Sequence, residues 1–154
     1  MIALLTGRGV DHPPSQDAMP DAWRLRTDDQ APKQARKFLR EKLRTLRLPS
    51  ELVEDAMLMV SELVTNAVRY GEPPLELAVS VEGDQVICQV LDVSPDTPSP
   101  QRETALVEHG RGLNIVKALS QGRYGWHAAP FVTAPDLWGK ATWFGLPLND
   151  RCGR

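Results

Sequence analysis

Residues 75–92 constrain the fold more than any other stretch. Leu75, Leu77, Val79 and Val81 alternate with Glu76, Ala78, Ser80 and Glu82, the period of a strand with two unlike faces. Gly83-Asp84 fits a tight turn, and Gln85 to Asp92 returns with the same period. So short a connection demands antiparallel pairing, so a sheet built on it is mixed or largely antiparallel. The parity also fixes one polar residue. Val86, Cys88 and Val90 share a face, and Asp92 falls on it. If those apolar side chains face a layer of helices, so does the Asp92 carboxylate, which is costly there unless it meets a donor.

Three segments have the three- and four-residue spacing of amphipathic helices. Asp29 to Leu46 places Ala31, Ala35, Phe38, Leu39, Leu43 and Leu46 on one face, with Pro32 in its first turn. The second helix carries Leu52, Val53, Ala56, Val60, Leu63, Val64, Ala67 and Val68, with Ser50 as expected N-cap and Gly71 as expected C′ residue. Gly110 to Gln121 is the third, ended by Gly122. Short strands are expected at Trp23–Arg26, on an edge, at Arg123–His127 and at Lys140–Leu146. The order is β-α-α-β-β-α-β-β. Three amphipathic helices cover one sheet face economically, so the fold class is a two-layer α/β sandwich with a mixed, largely antiparallel sheet. The other face is then solvated or paired with another protomer, which leaves a homodimer open. Two loops remain. Asp92 to His109 is long and holds Pro95, Pro98 and Pro100, as a functional lid would. Ala128 to Gly139 shows an exposed-looking Phe131 and Trp138.

The organisation is a flexible leader at 1–21, one domain at 22–148 and a tail at 149–154. A length of 154 residues suits one domain, and 42% hydrophobic residues can fill its core. A net charge of −2 gives no case for nucleic acid, and no apolar run approaches a membrane span. A cytoplasmic protein is expected. Cys88 and Cys152 suggest neither a disulfide framework nor a cysteine-rich metal site. Charge is segregated instead. Lys33, Arg36, Lys37, Arg40, Lys42, Arg44 and Arg47 line the first helix against Glu41 alone. This is a solvated face or a docking surface for an acidic partner.

Three groups of residues could carry chemistry. Glu62, Asn66 and Arg69 are spaced i, i+4, i+7 on one sector of the second helix. A carboxylate one turn from a carboxamide offers a base beside a neutral oxygen ligand for hydrated Mg2+; the same stripe fits a solvated polar face. Asp92 could accept the exocyclic amino hydrogens of adenine, or simply open the Pro-rich turn. Gly110-Arg111-Gly112-Leu113 leads straight into a helix, where glycines admit an anion to free backbone N–H groups and Arg111 could pair with phosphate. No Gly-Lys-Ser/Thr follows, and the helix follows a loop, so neither a Walker motif nor a dinucleotide fingerprint is present.

Taken in order, Glu62-x-x-x-Asn66-Ala67, the strand-end Asp92 and Gly110-x-Gly112-Leu113 resemble the gyrase/histidine-kinase ATPase superfamily, the Bergerat fold. The likeness is to its small one-domain members, the anti-sigma-factor serine kinases, and runs from Trp23 to Leu148. It implies ATP and Mg2+ as cofactors. It makes Glu62 the general base, Asn66 the Mg2+ ligand, Asp92 the adenine contact, and Gly110, Arg111, Gly112 and Leu113 part of the nucleotide cradle. It also implies transfer of the γ-phosphate to a serine of an antagonist protein, and binding of a sigma factor. The alternative is a catalytically weak or inactive nucleotide-binding module of the same fold. Three positions depart from the pattern. Tyr70 stands where many relatives have His, Ser94 where a Gly commonly follows the adenine Asp, and Ala141 where a Thr often lies near the adenine, with Thr142 beside it on the opposite strand face.

Overall fold

The hairpin expected at 75–92 forms the middle of a five-stranded sheet. The structure, a computed structural model, describes residues 20–94 and 111–148, without the side chains of 111–113. Its elements are β1 (Asp21–Leu25), α1 (Ala31–Arg44), α2 (Ser50–Tyr70), β2 (Leu75–Glu82), β3 (Gln85–Asp92), α3 (Arg111–Leu119), β4 (Tyr124–Pro130) and β5 (Trp138–Pro147). The strand order is β1-β2-β3-β5-β4, and every neighbouring pair is antiparallel. β1 is an edge strand, as its short alternating pattern implies. Gly83 takes a φ of 61° in the β2–β3 turn, a conformation glycine adopts without strain. The expected leader short of Pro20, the tail and the Pro-rich lid at 96–109 lie outside the described residues, as does Gly110.

One sheet face is buried under helices. Val79, Cys88, Phe144 and Tyr124 form a register row across β2, β3, β5 and β4 on that side. Above it pack Ala35, Leu39 and Leu43 from α1, Met59, Leu63 and Val64 from α2, and Val116 from α3. Each fully buried Leu or Val contributes roughly 1.5–3 kcal/mol of transfer free energy. Cys88, at the centre, is fully buried, and burial pushes its thiol pKa far above the ordinary range. Trp23 of β1 stacks on Phe38 of α1 with ring centroids 5.1 Å apart, closing the edge.

Both expected caps of α2 are corrected. Pro49, not Ser50, holds the N-cap position, with φ −56° and ψ 145°. Its carbonyl accepts from the N–H groups of Leu52 and Val53, so the fixed proline φ sets the entry and no side chain caps the helix. At the other end Gly71 is extended, with φ −90° and ψ −169°, rather than left-handed. Its lack of a side chain serves a different purpose, described below. α3 does end in the left-handed region, at Gln121 (φ 55°) and Gly122 (φ 87°).

The opposite sheet face is neither simply solvated nor left bare at this end. Residues 131–137, between β4 and β5, fold back across it. Glu76, fully buried on β2, accepts from the N–H of Val132 (2.7 Å), the N–H of Thr133 (3.0 Å) and the Thr133 hydroxyl (2.6 Å). Phe131, expected to be exposed, is 1% exposed and packs with Ala78, Leu91, Ala129 and Ala141. The Arg24 guanidinium lies over its ring at 5.9 Å and donates to Thr133 Oγ1. Trp138 is exposed, as expected. Among the described residues no helix is long and apolar enough to cross a membrane.

Candidate functional site

The parity argument for Asp92 holds. Its side chain is on the helix side of β3 and 3% exposed. Its Oδ1 accepts the Ser94 N–H at 2.7 Å, while the Val93 N–H donates to the Glu72 carbonyl at 2.9 Å. The second bond ties the end of β3 to the residues just after α2, and the first holds the turn that leaves β3. Gly71 sits directly against the carboxylate. A Cβ there would come 2.7 Å from Asp92 Cγ and 2.8 Å from Oδ2, closer than such atoms approach. Gly71 is therefore glycine because the acid occupies the space a side chain would take. Gly139 of β5 does the same for the Asp92 backbone, since a Cβ there would meet the Asp92 carbonyl oxygen.

Glu62 and Asn66 are half-buried on α2, on the way to Gly71. At 1.5 Å per residue, Glu62 and the Gly71–Asp92 contact are about 13 Å apart along the helix axis. The site is thus elongated: an acid at one end, then a carboxamide, then a second acid. Arg69, third in the sequence stripe, is exposed. Ser61, beside Glu62, donates to the Met57 carbonyl and accepts from Arg36 of α1, each at 2.8 Å. α3 packs on α2, and its first turn holds Arg111, Gly112 and Leu113. Their side-chain contacts and Gly110 lie outside the description.

Lys140 was not singled out in the sequence, whereas Thr142 was, as the neighbour of Ala141 on the opposite strand face. Lys140 pairs with Asp92, and Thr142 pairs with Val90, so both lie on the helix side of β5 with the acid. Ala141 is on the other face, in the cluster under the 131–137 loop. The position noted as lacking a threonine is therefore on the wrong face, and Thr142 stands on the right one. Phe144 and Leu146, both core residues, share the parity of Thr142 and carried that signal.

Among the described residues no three His, Cys, Asp or Glu side chains gather to form a metal site. A hydrated Mg2+ resting on the Asn66 carboxamide and on a ligand's own oxygens fits this donor set.

Residues 25–122 match the family model of the histidine kinase-like ATPase domain. No curated protein matches the chain. The matched segment runs from the last residue of β1 through α3 and contains Glu62, Asn66, Asp92 and the Gly110–Leu113 motif, while β4 and β5 complete the sheet beyond it.

Proposed function

Because this chain belongs to the histidine kinase-like ATPase family, we propose that it is an ATP·Mg2+-binding regulator of the anti-sigma serine-kinase type. The observation that carries the reading is the buried Asp92 carboxylate set against Gly71 at the end of α2. Asp92 accepts the exocyclic amino hydrogens of adenine and rejects a keto group. The Asn66 carboxamide oxygen holds the Mg2+, which when bound neutralises charge on the phosphates. Backbone N–H groups at Gly110, Gly112 and Leu113, with the Arg111 guanidinium, receive phosphate oxygens. Glu62 takes the hydroxyl proton of the acceptor serine as its oxygen bonds the γ-phosphorus and ADP leaves. The acceptor is a serine of an antagonist protein, and a sigma factor is the second partner.

Calorimetry of the full chain with ATP and with GTP, each with Mg2+, tests the site. ATP should bind and GTP should bind far more weakly. Equal binding of the two removes adenine recognition from Asp92. Glu62→Gln should keep ATP binding and abolish transfer to a serine acceptor, whereas Asn66→Ala should weaken the Mg2+-dependent part of binding. A second reading is a non-catalytic module that uses nucleotide to hold a partner-binding surface. Tyr70 and Ser94, at positions where relatives commonly have His and Gly, favour it. ATP binding without turnover on any captured partner would select it.

A further inference from the structure

Lys140 is the direct register partner of Asp92 on β5. Such partners have Cα atoms about 4.5–5.5 Å apart and side chains on the same sheet face. Both chain neighbours of Lys140 point the other way. Ala141 packs in the cluster on the far sheet face, and a Cβ on Gly139 would come 2.9 Å from Phe131 Cε1 in that same cluster. Lys140 therefore rises beside the carboxylate, on the helix side. Gly139 also brings β5 close to the Asp92 carbonyl, which fixes where the Lys140 side chain starts. The acid is buried and the lysine half-buried. Among the described residues the ion pairs are Arg26–Asp28 and Lys42–Asp21, so Asp92 and Lys140 stand side by side without closing one between themselves.

We propose that Lys140 is a second base-reading residue, whose ammonium donates to one of the ring nitrogens, N1 or N7, that flank the amino group of adenine. The proposal rests on the adenine reading of Asp92. An ionised carboxylate offers acceptors only, and an ammonium offers donors only. In adenine the amino group donates, and the ring nitrogen on either side of it accepts. An acceptor and a donor set side by side in one register row therefore match adenine at two adjacent atoms. Guanine carries an acceptor oxygen in place of the amino group, so it opposes Asp92, and its protonated N1 opposes the ammonium as well. Phosphate is the poorer match for this cation. Asn66 lies about 7–8 Å back along α2 from Gly71, and Arg111 belongs to α3, whereas Lys140 shares the row of the acid that reads the base. The competing role is a cross-strand pair that steadies β5 against β3 and touches no ligand.

Calorimetry with Mg2+ tests this on the full chain and on Lys140→Met, which keeps an apolar stem and drops the charge. The ligands are ATP, 1-deaza-ATP, 7-deaza-ATP and adenosine. In the unaltered chain one of the two deaza nucleotides should bind about 10–100-fold more weakly than ATP, the scale of one hydrogen bond from a charged donor. Lys140→Met should lose a similar factor on ATP and on adenosine, and little on that deaza nucleotide. Loss on ATP with none on adenosine would put the ammonium on phosphate and overturn the proposal. Equal losses on all four ligands, or a lower melting temperature with unchanged affinities, overturn it too. The two readings fail separately. No binding of ATP to the unaltered chain removes the adenine site and Lys140 with it, whereas ATP binding that Lys140→Met leaves unchanged removes Lys140 alone.

Discussion

At Asp92, exchanging one carboxylate oxygen for an amide nitrogen puts a donor where an acceptor stood. Asp92→Asn should weaken ATP binding by roughly 1–3 kcal/mol, the scale for a buried group left unpaired, as read by calorimetry. Gly71→Ala probes the same contact from the other side. Its methyl would meet the carboxylate at 2.7 Å, so both ATP affinity and thermal stability should fall, whereas a surface glycine such as Gly83 has open space around it. His127, on the far sheet face, gives a pH test. Burial lowers its pKa to about 4 from an ordinary 6.5. The unfolded chain then binds the proton first as pH falls, so stability should decline from pH 6.5 toward 4. The slope from this group approaches about 1.4 kcal/mol per pH unit, and His127→Gln should flatten it in urea titrations at stepped pH. The inward aim of Asp92 was legible because strand parity is strict. The face of Thr142 was equally legible in principle, but an anchor on β5 was needed, and only Phe144 and Leu146 give one. The role of Gly71 was not legible, because the atom that forbids its side chain lies 21 positions away in the chain.

Among the elements, α1 shows how a charged face divides by what it touches. Lys33, Lys37, Arg40, Arg44 and Arg47 are exposed. Arg36 is half-buried and bonded to Ser61, and Lys42 pairs with Asp21 of β1 at 2.7 Å. Two of the seven cations therefore tie α1 to its neighbours, and a test of docking has to spare them. Replacing Lys37, Arg40 and Arg44 by Gln should leave folding and ATP affinity unchanged, because isolated surface charges contribute little. It should slow capture of an acidic partner at low salt, measured by surface-immobilised association rates. Capture at the wild-type rate would leave α1 a solvated face. The helices and the hairpin were legible because their periods are long and regular. The 131–137 loop was not. Its folding back depends on Glu76, which the alternation of β2 presents as an ordinary solvent-facing acid. Only the three donors arriving from more than fifty residues away make it a buried anchor. Glu76→Ala should free that loop and expose Phe131, raising amide exchange at Val132 and Thr133 while α2 keeps its protection.

For the whole molecule, the depth of Cys88 has a use of its own. Its sulfur sits in the middle strand, walled by helices above and by neighbouring strands on either side. A thiol reagent cannot arrive there by the loosening of a loop or the fraying of a helix end. In a Cys152→Ser chain, the modification rate of Cys88 therefore counts how often the entire sandwich comes apart. Divided by the rate for an open thiol, it becomes an opening equilibrium constant measured without denaturant. A ligand that binds only the closed form must lower that constant by mass action. ATP·Mg2+ at a hundred times its dissociation constant should slow Cys88 labelling about 100-fold. The chain thus carries its own clock for the opening of its core, wound by whatever fills the space beside Asp92.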